Sequence, residues 1–307
     1  MGYAQSCSSS RHRTSHLTIK RYKLKDKTFM RGRQIMQAQE FAFIRNLVKT
    51  NSGIDLTEDK VYLLESRLMP IASKGGHKDL SAFVGSIMRS KPSNLLVQEI
   101  VEAMTTNESL FFRDTKPFQY LKDVVLQDFK QRGIARPLSI WCAACSSGQE
   151  PYSVAMTMEE QRMGVGSMGA SILASDIDHQ ILKKAEDGIY NQFEVQRGLP
   201  MPMLIKHFSQ MPEQRWKIKD NIKKMVTFKQ HNLLNSARPH GMFDIIFCRN
   251  VLIYFDPPTK QQALMYLNEV LNPGGYLFLG SAETVPPALT MLVSHPEHRQ
   301  LFVKSQR

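Results

Sequence analysis

The feature that most limits the fold of this chain is a set of short apolar runs that alternate with amphipathic stretches through its second half. Leu138 to Ala143, Ile172 to Ala174, Phe243 to Cys248 and Tyr276 to Leu279 read as strands. Between them, helices are expected from Pro151, from Asp178 to Glu186 with a stop at Gly188, and from Pro258 to Leu271. Apolar strands separated by amphipathic helices imply a parallel sheet covered on both faces. Trp216-Lys217-Ile218-Lys219 and Met225-Val226-Thr227-Phe228 read as a small, polar-faced strand pair, and no internal repeat is present.

Before about residue 105 the pattern is helical only. Phe41, Ile44, Leu47 and Val48 recur at helical spacing up to Asn51-Ser52-Gly53, and Thr57 caps a helix whose buried stripe is Val61, Leu64 and Leu68. Two further helices carry Leu80, Phe83, Val84 and Ile87, then Leu96, Val97, Ile100 and Val101. Residues 37–105 are thus expected to form a small all-helical domain and 106–307 the α/β domain, which opens with a helix from Pro117 to Arg132.

The net charge of +12 over 307 residues raises the question of nucleic acid, but residues 1–36 alone hold nine Lys or Arg against Asp26 and supply +8 of it. That segment, Ser-rich and poor in apolar residues, is read as a disordered basic tail. No run of eighteen apolar residues exists, so no membrane span is expected, and no apolar segment of a secretory leader follows the basic residues. Four cysteines are too few and too irregular for a disulfide framework, which points to a reducing compartment, the cytoplasm.

Ile140 to Pro151, IWCAACSSGQEP, contains a Cys-x-x-Cys. A redox dithiol needs its first cysteine at a helix N-terminus, and here Ser146-Ser147-Gly148 separates Cys145 from the helix expected at Pro151. A strand running into a cofactor loop accounts for more of the letters. The small residues Ala143 to Gly148 permit close backbone approach, and the next strand ends in Ser175-Asp176, where Asp176 can accept from a ribose diol. The loop has no G-x-G-x-x-G, so a ribose-bearing cofactor without phosphates fits better, and S-adenosylmethionine is expected.

Thr105-Thr106-Asn107-Glu108-Ser109-Leu110-Phe111-Phe112-Arg113-Asp114, then SSGQEPYS, ASDID, HNLL, FDIIFCRNVLIYFD and LNPGGYLFLGSAE, resemble in order the motifs of the chemotaxis receptor methyltransferases, CheR, from about residue 40 to about 304. The resemblance implies a helical N-terminal domain followed by a Rossmann-like class I S-adenosylmethionine-dependent methyltransferase domain with a small antiparallel β-subdomain, at about residues 207–230. It implies methyl transfer to glutamate side chains of chemoreceptors, giving glutamyl methyl esters and S-adenosylhomocysteine. By residue matching it further implies Arg113 and Tyr254 as the catalytic pair, with Asn107, Ser109, Arg113, Glu150, Asp176, Asn232, Leu233, Arg249 and Asn250 around the cofactor and no metal. Asn232 is expected at the adenine edge. Without the resemblance, Arg113 reads as a surface arginine paired with Asp114, and Tyr254 equally well as a core tyrosine.

Such a site needs no base, because a glutamate of pKa ~4.3 is already ionised at neutral pH. In-line placement alone can lower a barrier by roughly 7 to 11 kcal/mol at best. Two departures from the family are mild: Ser109 stands where threonine is usual, and Gln149 where glutamate is common. A third bears on partners. His207 to Val226 is short and has no glycine, whereas members that dock on a receptor's C-terminal pentapeptide carry a longer glycine-containing loop, so independence from that tether is expected. The partner is expected to be the cytoplasmic helical region of a chemoreceptor, with the enzyme a monomer that binds no specific nucleic acid. Asp256-Pro257-Pro258-Thr259 is one letter from a motif of amino-methylating nucleic-acid enzymes, but it reads as a helix cap and first turn, and Thr259 lacks the aromatic ring that stacks a flipped base.

Overall fold

The structure is a computed structural model that describes residues 36–162, 169–235 and 241–306. The basic segment 1–36, apart from Met36, and Cys7 lie outside the described residues.

Four helices come first: α1 (Ala38–Ser52), α2 (Val61–Lys74), α3 (Leu80–Arg89) and α4 (Asn94–Met104). Each buries one stripe, and Ile44, Val48, Leu64, Leu68, Phe83, Val84, Ile87 and Ile100 meet in a single core. Their ends follow local chemistry. Gly53 closes α1 at φ 81, a left-handed position that glycine adopts without strain. Asp79 and Ser93 accept from the backbone N–H groups of Ala82 and Leu96, and so start α3 and α4. The helix expected over Pro117–Arg132 forms as α5 (Lys116–Tyr120) and α6 (Leu126–Gln131), joined through a π-helical turn at Leu121–Val125.

The α/β part then runs β1 (Leu138–Ala143), α7 (Gln149–Gln161), β2 (Ala170–Asp176), α8 (His179–Asp187) and β3 (Ile189–Asn191). After it come α9 (Gln192–Gln196), α10 (Met201–His207), β4 (Phe208–Met211), β5 (Arg215–Ile218), α11 (Asp220–Lys223) and β6 (Val226–Gln230). The chain ends with β7 (Phe243–Cys248), α12 (Pro257–Val270), β8 (Leu271–Leu279), β9 (Leu292–Ser294) and β10 (Leu301–Lys304).

The main sheet has the order β6-β2-β1-β7-β8-β10-β9, parallel from β6 to β8 and antiparallel at β10 and β9. Successive side chains alternate between two cores. Ile140, Cys142, Ile245, Phe247, Tyr276 and Phe278 pack on one face, and Trp141, Ala143, Ile246, Cys248, Leu277 and Leu279 on the other. Trp141 is fully buried and donates from Nε1 to Ser175 Oγ at 2.9 Å, which satisfies a group that would otherwise cost about 1–3 kcal/mol. The chain builds outward from β1 to β2 and β6 and then returns to the other side of β1 at β7. Such a reversal leaves a crevice beyond the carboxyl ends of the strands.

The strand pair expected from residues 216–219 and 225–228 does not form. β5 pairs antiparallel with β3 and β4 in a separate three-stranded sheet, whereas β6 pairs parallel with β2, from Ile172↔Val226 to Asp176↔Gln230. The physical reason is α11, which buries Ile222 and turns the chain away between them. The polar residues Lys229 and Gln230 of β6 mark the edge of the main sheet, so the antiparallel sheet draws on residues 189–218 rather than on about 207–230.

Candidate active site

The segment 105–113 and the loops after β1, β2, β6 and β7 enclose one cleft at the crevice, about 920 Å³ including its open mouth. Asn107, Ser109, Arg113, Glu150, Asp176, Asn232, Leu233, Arg249, Asn250 and Tyr254 all line it, so the structure brings every residue singled out from the sequence into one place. Ser52 and Ile54, from the end of α1 and the connector after it, line it too. Sequence reasoning missed them, because they lie in the helical part of the chain and carry no motif.

The loop after β1 is held in an uncommon backbone. Ala144 and Ser146 have φ of 58 and 51, and Gly148 has φ of 90. A Cβ on Gly148 would meet Ala185 Cβ at 2.9 Å, so this position admits only glycine. The loop wraps Asp176, which is 6% exposed at the tip of β2. Its Oδ2 accepts from Ser146 N at 2.8 Å and its Oδ1 from Asp178 N at 3.0 Å, so each oxygen keeps acceptor capacity. Burial pushes the Asp176 carboxyl up to about 6, against the pull of those backbone N–H groups.

Asp178 caps α8 through the N–H groups of Gln180 and Ile181, as its position in the sequence predicts. It also accepts from Asn107 Nδ2 at 2.7 Å, and the Asn107 carbonyl accepts from Ser146 Oγ at 3.0 Å. Asn107 thus fastens the 105–113 segment to the Asp176 loop, with one of its two amide N–H groups committed to Asp178. The side chain of Asn232 is partly committed as well. It donates one N–H to Asn51 O at 2.7 Å and accepts from Leu234 N at 2.9 Å, so it joins the loop after β6 to α1 while lining the cleft.

Arg249, one residue past β7, has a side chain 1% exposed. It donates to Glu150 Oε2 at 2.8 Å, to Asp114 Oδ2 at 2.7 Å and to the Arg113 carbonyl at 2.9 Å. Burial pushes the Glu150 carboxyl up, and Arg249 opposes the shift. Asp114 therefore belongs to Arg249, not to its neighbour. Arg113 is left with only a 3.3 Å contact to the Glu108 carbonyl, and no carboxylate pairs with it among the described residues.

Arg113 sits in a tense turn. Phe112, Asp114 and Thr115 have φ of 49, 67 and 50, each costing on the order of 1–3 kcal/mol. Neighbouring packing holds it. Phe111 is fully buried, edge-on to Tyr190 at 4.9 Å and Phe208 at 5.6 Å, and Phe112 N donates to Ser153 Oγ. Tyr254 lies in a 3-10 turn (Leu252–Tyr254) beyond β7, and its hydroxyl has no hydrogen-bond partner among the described residues. Its carbonyl accepts from Asp55 N at 2.9 Å, and Ile54 bridges Phe255, so the connector after α1 grips the turn from outside.

Cys142 is buried in β1 and Cys145 in the loop after it, both as free thiols, and burial pushes both well above the usual thiol range. Activation of a redox dithiol requires the opposite shift. Asp256 caps α12 by accepting from Thr259 N and pairs with Lys49 at 2.7 Å, away from the role an amino-methylating motif would give it.

Residues 39–105 match the family described as "CheR methyltransferase, all-alpha domain", and residues 107–300 the one described as "CheR methyltransferase, SAM binding domain". The chain is 41% identical to the chemotaxis protein methyltransferase Cher2 of Pseudomonas putida over 265 residues, 85% of this chain and 94% of that one. It is 42% identical to chemotaxis protein methyltransferase 1 of Vibrio cholerae over 80% of this chain and 90% of the relative. Against the chemotaxis protein methyltransferase of Borreliella burgdorferi the identity is 34%, over 80% of this chain and 88% of the relative.

Proposed function

Because the chain belongs to the CheR methyltransferase family, we propose that it transfers the methyl group of S-adenosylmethionine to glutamate side chains of chemotaxis receptors, forming glutamyl methyl esters. It is an S-adenosylmethionine-dependent methyltransferase of chemotaxis. One observation carries the glutamate reading. A buried acceptor, Asp176, shares a cleft with an arginine and a phenol, Arg113 and Tyr254, whose donors are uncommitted to any carboxylate among the described residues.

The residues fit such a cofactor. Both Asp176 oxygens keep acceptor capacity for a ribose diol, and Leu233 and Ile177 offer apolar surface beside it. When bound, S-adenosylmethionine supplies an electrophilic methyl on a sulfonium sulfur and is left as S-adenosylhomocysteine. Asp176 holds the ribose hydroxyls. Asn107, Ser109, Glu150, Arg249 and Asn250 border the rest of the cofactor, and the Asn232-Leu233 segment borders the adenine. Arg113 and Tyr254 donate to the receptor carboxylate and orient one oxygen toward the methyl. No proton moves, because that carboxylate is already ionised at neutral pH. The work of the site is placement.

The finer readings have separate support. β4 and β5 join through Pro212-Glu213-Gln214, with Glu213 and Gln214 at φ of 61 and 55. So tight a hairpin supports a protein that acts on the receptor's cytoplasmic helices without a C-terminal pentapeptide tether. No helix among the described residues is long and apolar enough to cross a membrane. On this reading the protein is further a cytoplasmic monomer with a helical unit at 37–105 and a catalytic unit at 106–307.

The test is to incubate the full chain with labelled S-adenosylmethionine and receptor-containing membranes, then treat with mild alkali. Label released as methanol is expected, since a carboxyl ester is base-labile. Alkali-stable label on protein or nucleic acid overturns the proposal.

A further inference from the structure

Just past β8, Glu283 is 6% exposed and does not line the cleft, yet three backbone N–H groups converge on its carboxylate. Oε2 accepts from Gly280 N at 2.7 Å and from Asn250 N at 2.9 Å, and Oε1 accepts from Ile253 N at 3.2 Å. No lysine or arginine pairs with it among the described residues. The donors come from two different loops. Gly280 lies at the end of β8, while Asn250 and Ile253 belong to the segment after β7 that lines the cleft and carries Tyr254. The fit is close, for a Cβ on Gly280 would come 2.7 Å from Glu283 Oε2 and 2.9 Å from Asn250 N.

We infer that Glu283 is a positioning residue for methyl transfer, which sets the placement of Asn250 and Tyr254 by pinning the backbone of Asn250 and of Ile253, the residue before Tyr254, to the end of β8. Asn250 has φ of 60, in the left-handed region that asparagine tolerates better than other residues with a side chain, and its N–H donates to Glu283 Oε2 from that conformation. A charged acceptor holds such an N–H well, because hydrogen bonds to an ionised group are roughly twice as strong as neutral ones. The connector after α1 grips the same turn at Tyr254 O and Phe255, so Glu283 and Asp55 tie the turn to two different parts of the chain. A reaction governed by placement is sensitive to such a clamp, since a displacement of about 1 Å costs on the order of 10²-fold in rate.

The inference rests on the reading that Tyr254 faces the receptor carboxylate, and the test separates the two. In Glu283→Gln the shape is kept, but one oxygen becomes an N–H donor turned toward a backbone N–H. The expected result is a kcat lowered about 10- to 100-fold, with KM for S-adenosylmethionine nearly unchanged, a melting temperature lowered by only about 2–4 °C, and partial recovery in Glu283→Asp. Base-labile methylation by the parent protein that Glu283→Gln matches in kcat overturns this inference alone. Absence of base-labile methylation by the parent overturns the functional reading and this inference with it. If Glu283→Gln does not fold, amide exchange in the parent decides. Slow exchange at Asn250, Ile253 and Gly280 supports the clamp, and exchange at the rate of an open loop overturns it.

Discussion

Arg249 and Glu150 form an ion pair at 2.8 Å between the end of β7 and the first turn of α7, with the guanidinium almost wholly sealed from solvent. The same guanidinium holds Asp114, so one cation answers for two carboxylates behind the cleft. Removal of one partner from a buried pair leaves the other charge uncompensated, a loss of about 3–5 kcal/mol. Arg249→Leu is therefore expected to destabilise the ligand-free protein by about that amount, read as a lower urea midpoint at unchanged slope. A loss under about 1 kcal/mol would show that Glu150 and Asp114 find other partners.

On the proposed reading, Asp176 is expected to make cofactor affinity depend on pH. Its carboxyl, raised to about 6 by burial, is ionised above that pH and protonated below it. A ribose diol donates hydrogen bonds, so it favours the ionised form. Affinity should be flat at alkaline pH and weaken as pH falls through about 6, by up to about tenfold per unit. Titration calorimetry across this range reads the effect. Asp176→Asn should remove the dependence and weaken binding about 10- to 100-fold at pH 8. A similar pH profile in that variant would assign the titration to another group, with Glu150 the first candidate.

A raised carboxyl pKa also has a sign for stability. In the ligand-free protein the folded state binds the Asp176 proton more tightly than the unfolded chain does. Its contribution is then most favourable at acidic pH and is lost as pH rises through about 6. Saturating cofactor should flatten or reverse this trend, and melting curves with and without S-adenosylmethionine check it.

Gly198 supports the Arg113 turn from below. It has φ of 93, and a Cβ there would fall 2.1 Å from the Phe111 carbonyl oxygen. Gly198→Ala should cost about 2 kcal/mol or more and lower methyl transfer, because Phe111 anchors the turn. Gly133→Ala is the control, with φ of 68 but open space around it, and should cost only about 1 kcal/mol with activity intact. Equal losses in the two variants would remove the steric argument.

Tyr254→Phe deletes a hydroxyl that no described residue engages. Stability and cofactor affinity are therefore expected to stay near those of the parent, while kcat falls about tenfold or more. Full activity in the phenylalanine variant would return Tyr254 to the role of a core tyrosine.

Cys142, Cys145 and Cys248 are buried, with thiols pushed well up by burial. Mass spectrometry after treatment with a thiol reagent should find all three unmodified in the native protein and modified on unfolding, with no loss of activity in the native sample. Rapid native modification at Cys145 would revive a redox role.

The sequence made the parallel sheet and the membership of the cleft readable because both rest on local letters. Apolar runs specify buried strands, and Asp176, Arg249 and Tyr254 follow directly on strand ends. What stayed hidden depends on partners far apart in the chain. β5 lies near β6 in sequence but pairs with β3, because α11 intervenes. Asn107 and Asn232 gave no sign in the sequence that each also ties its loop to another element, through Asp178 and Asn51. Glu283 is the last residue of the recognisable LGSAE stretch, but nothing local indicates that Asn250 and Ile253 converge on it.

Ser52 and Ile54 line the cleft from the helical part of the chain, and Glu283, past β8, holds the turn after β7 that lines it too. The site is therefore assembled from nearly the whole chain, and order of synthesis matters. A polypeptide still emerging from the ribosome has its helical unit and β1 long before it has β8, so it carries no complete cofactor site until synthesis is almost finished. On the proposed reading, S-adenosylmethionine is expected to slow limited proteolysis of the full chain and to leave a chain truncated before β8 unprotected.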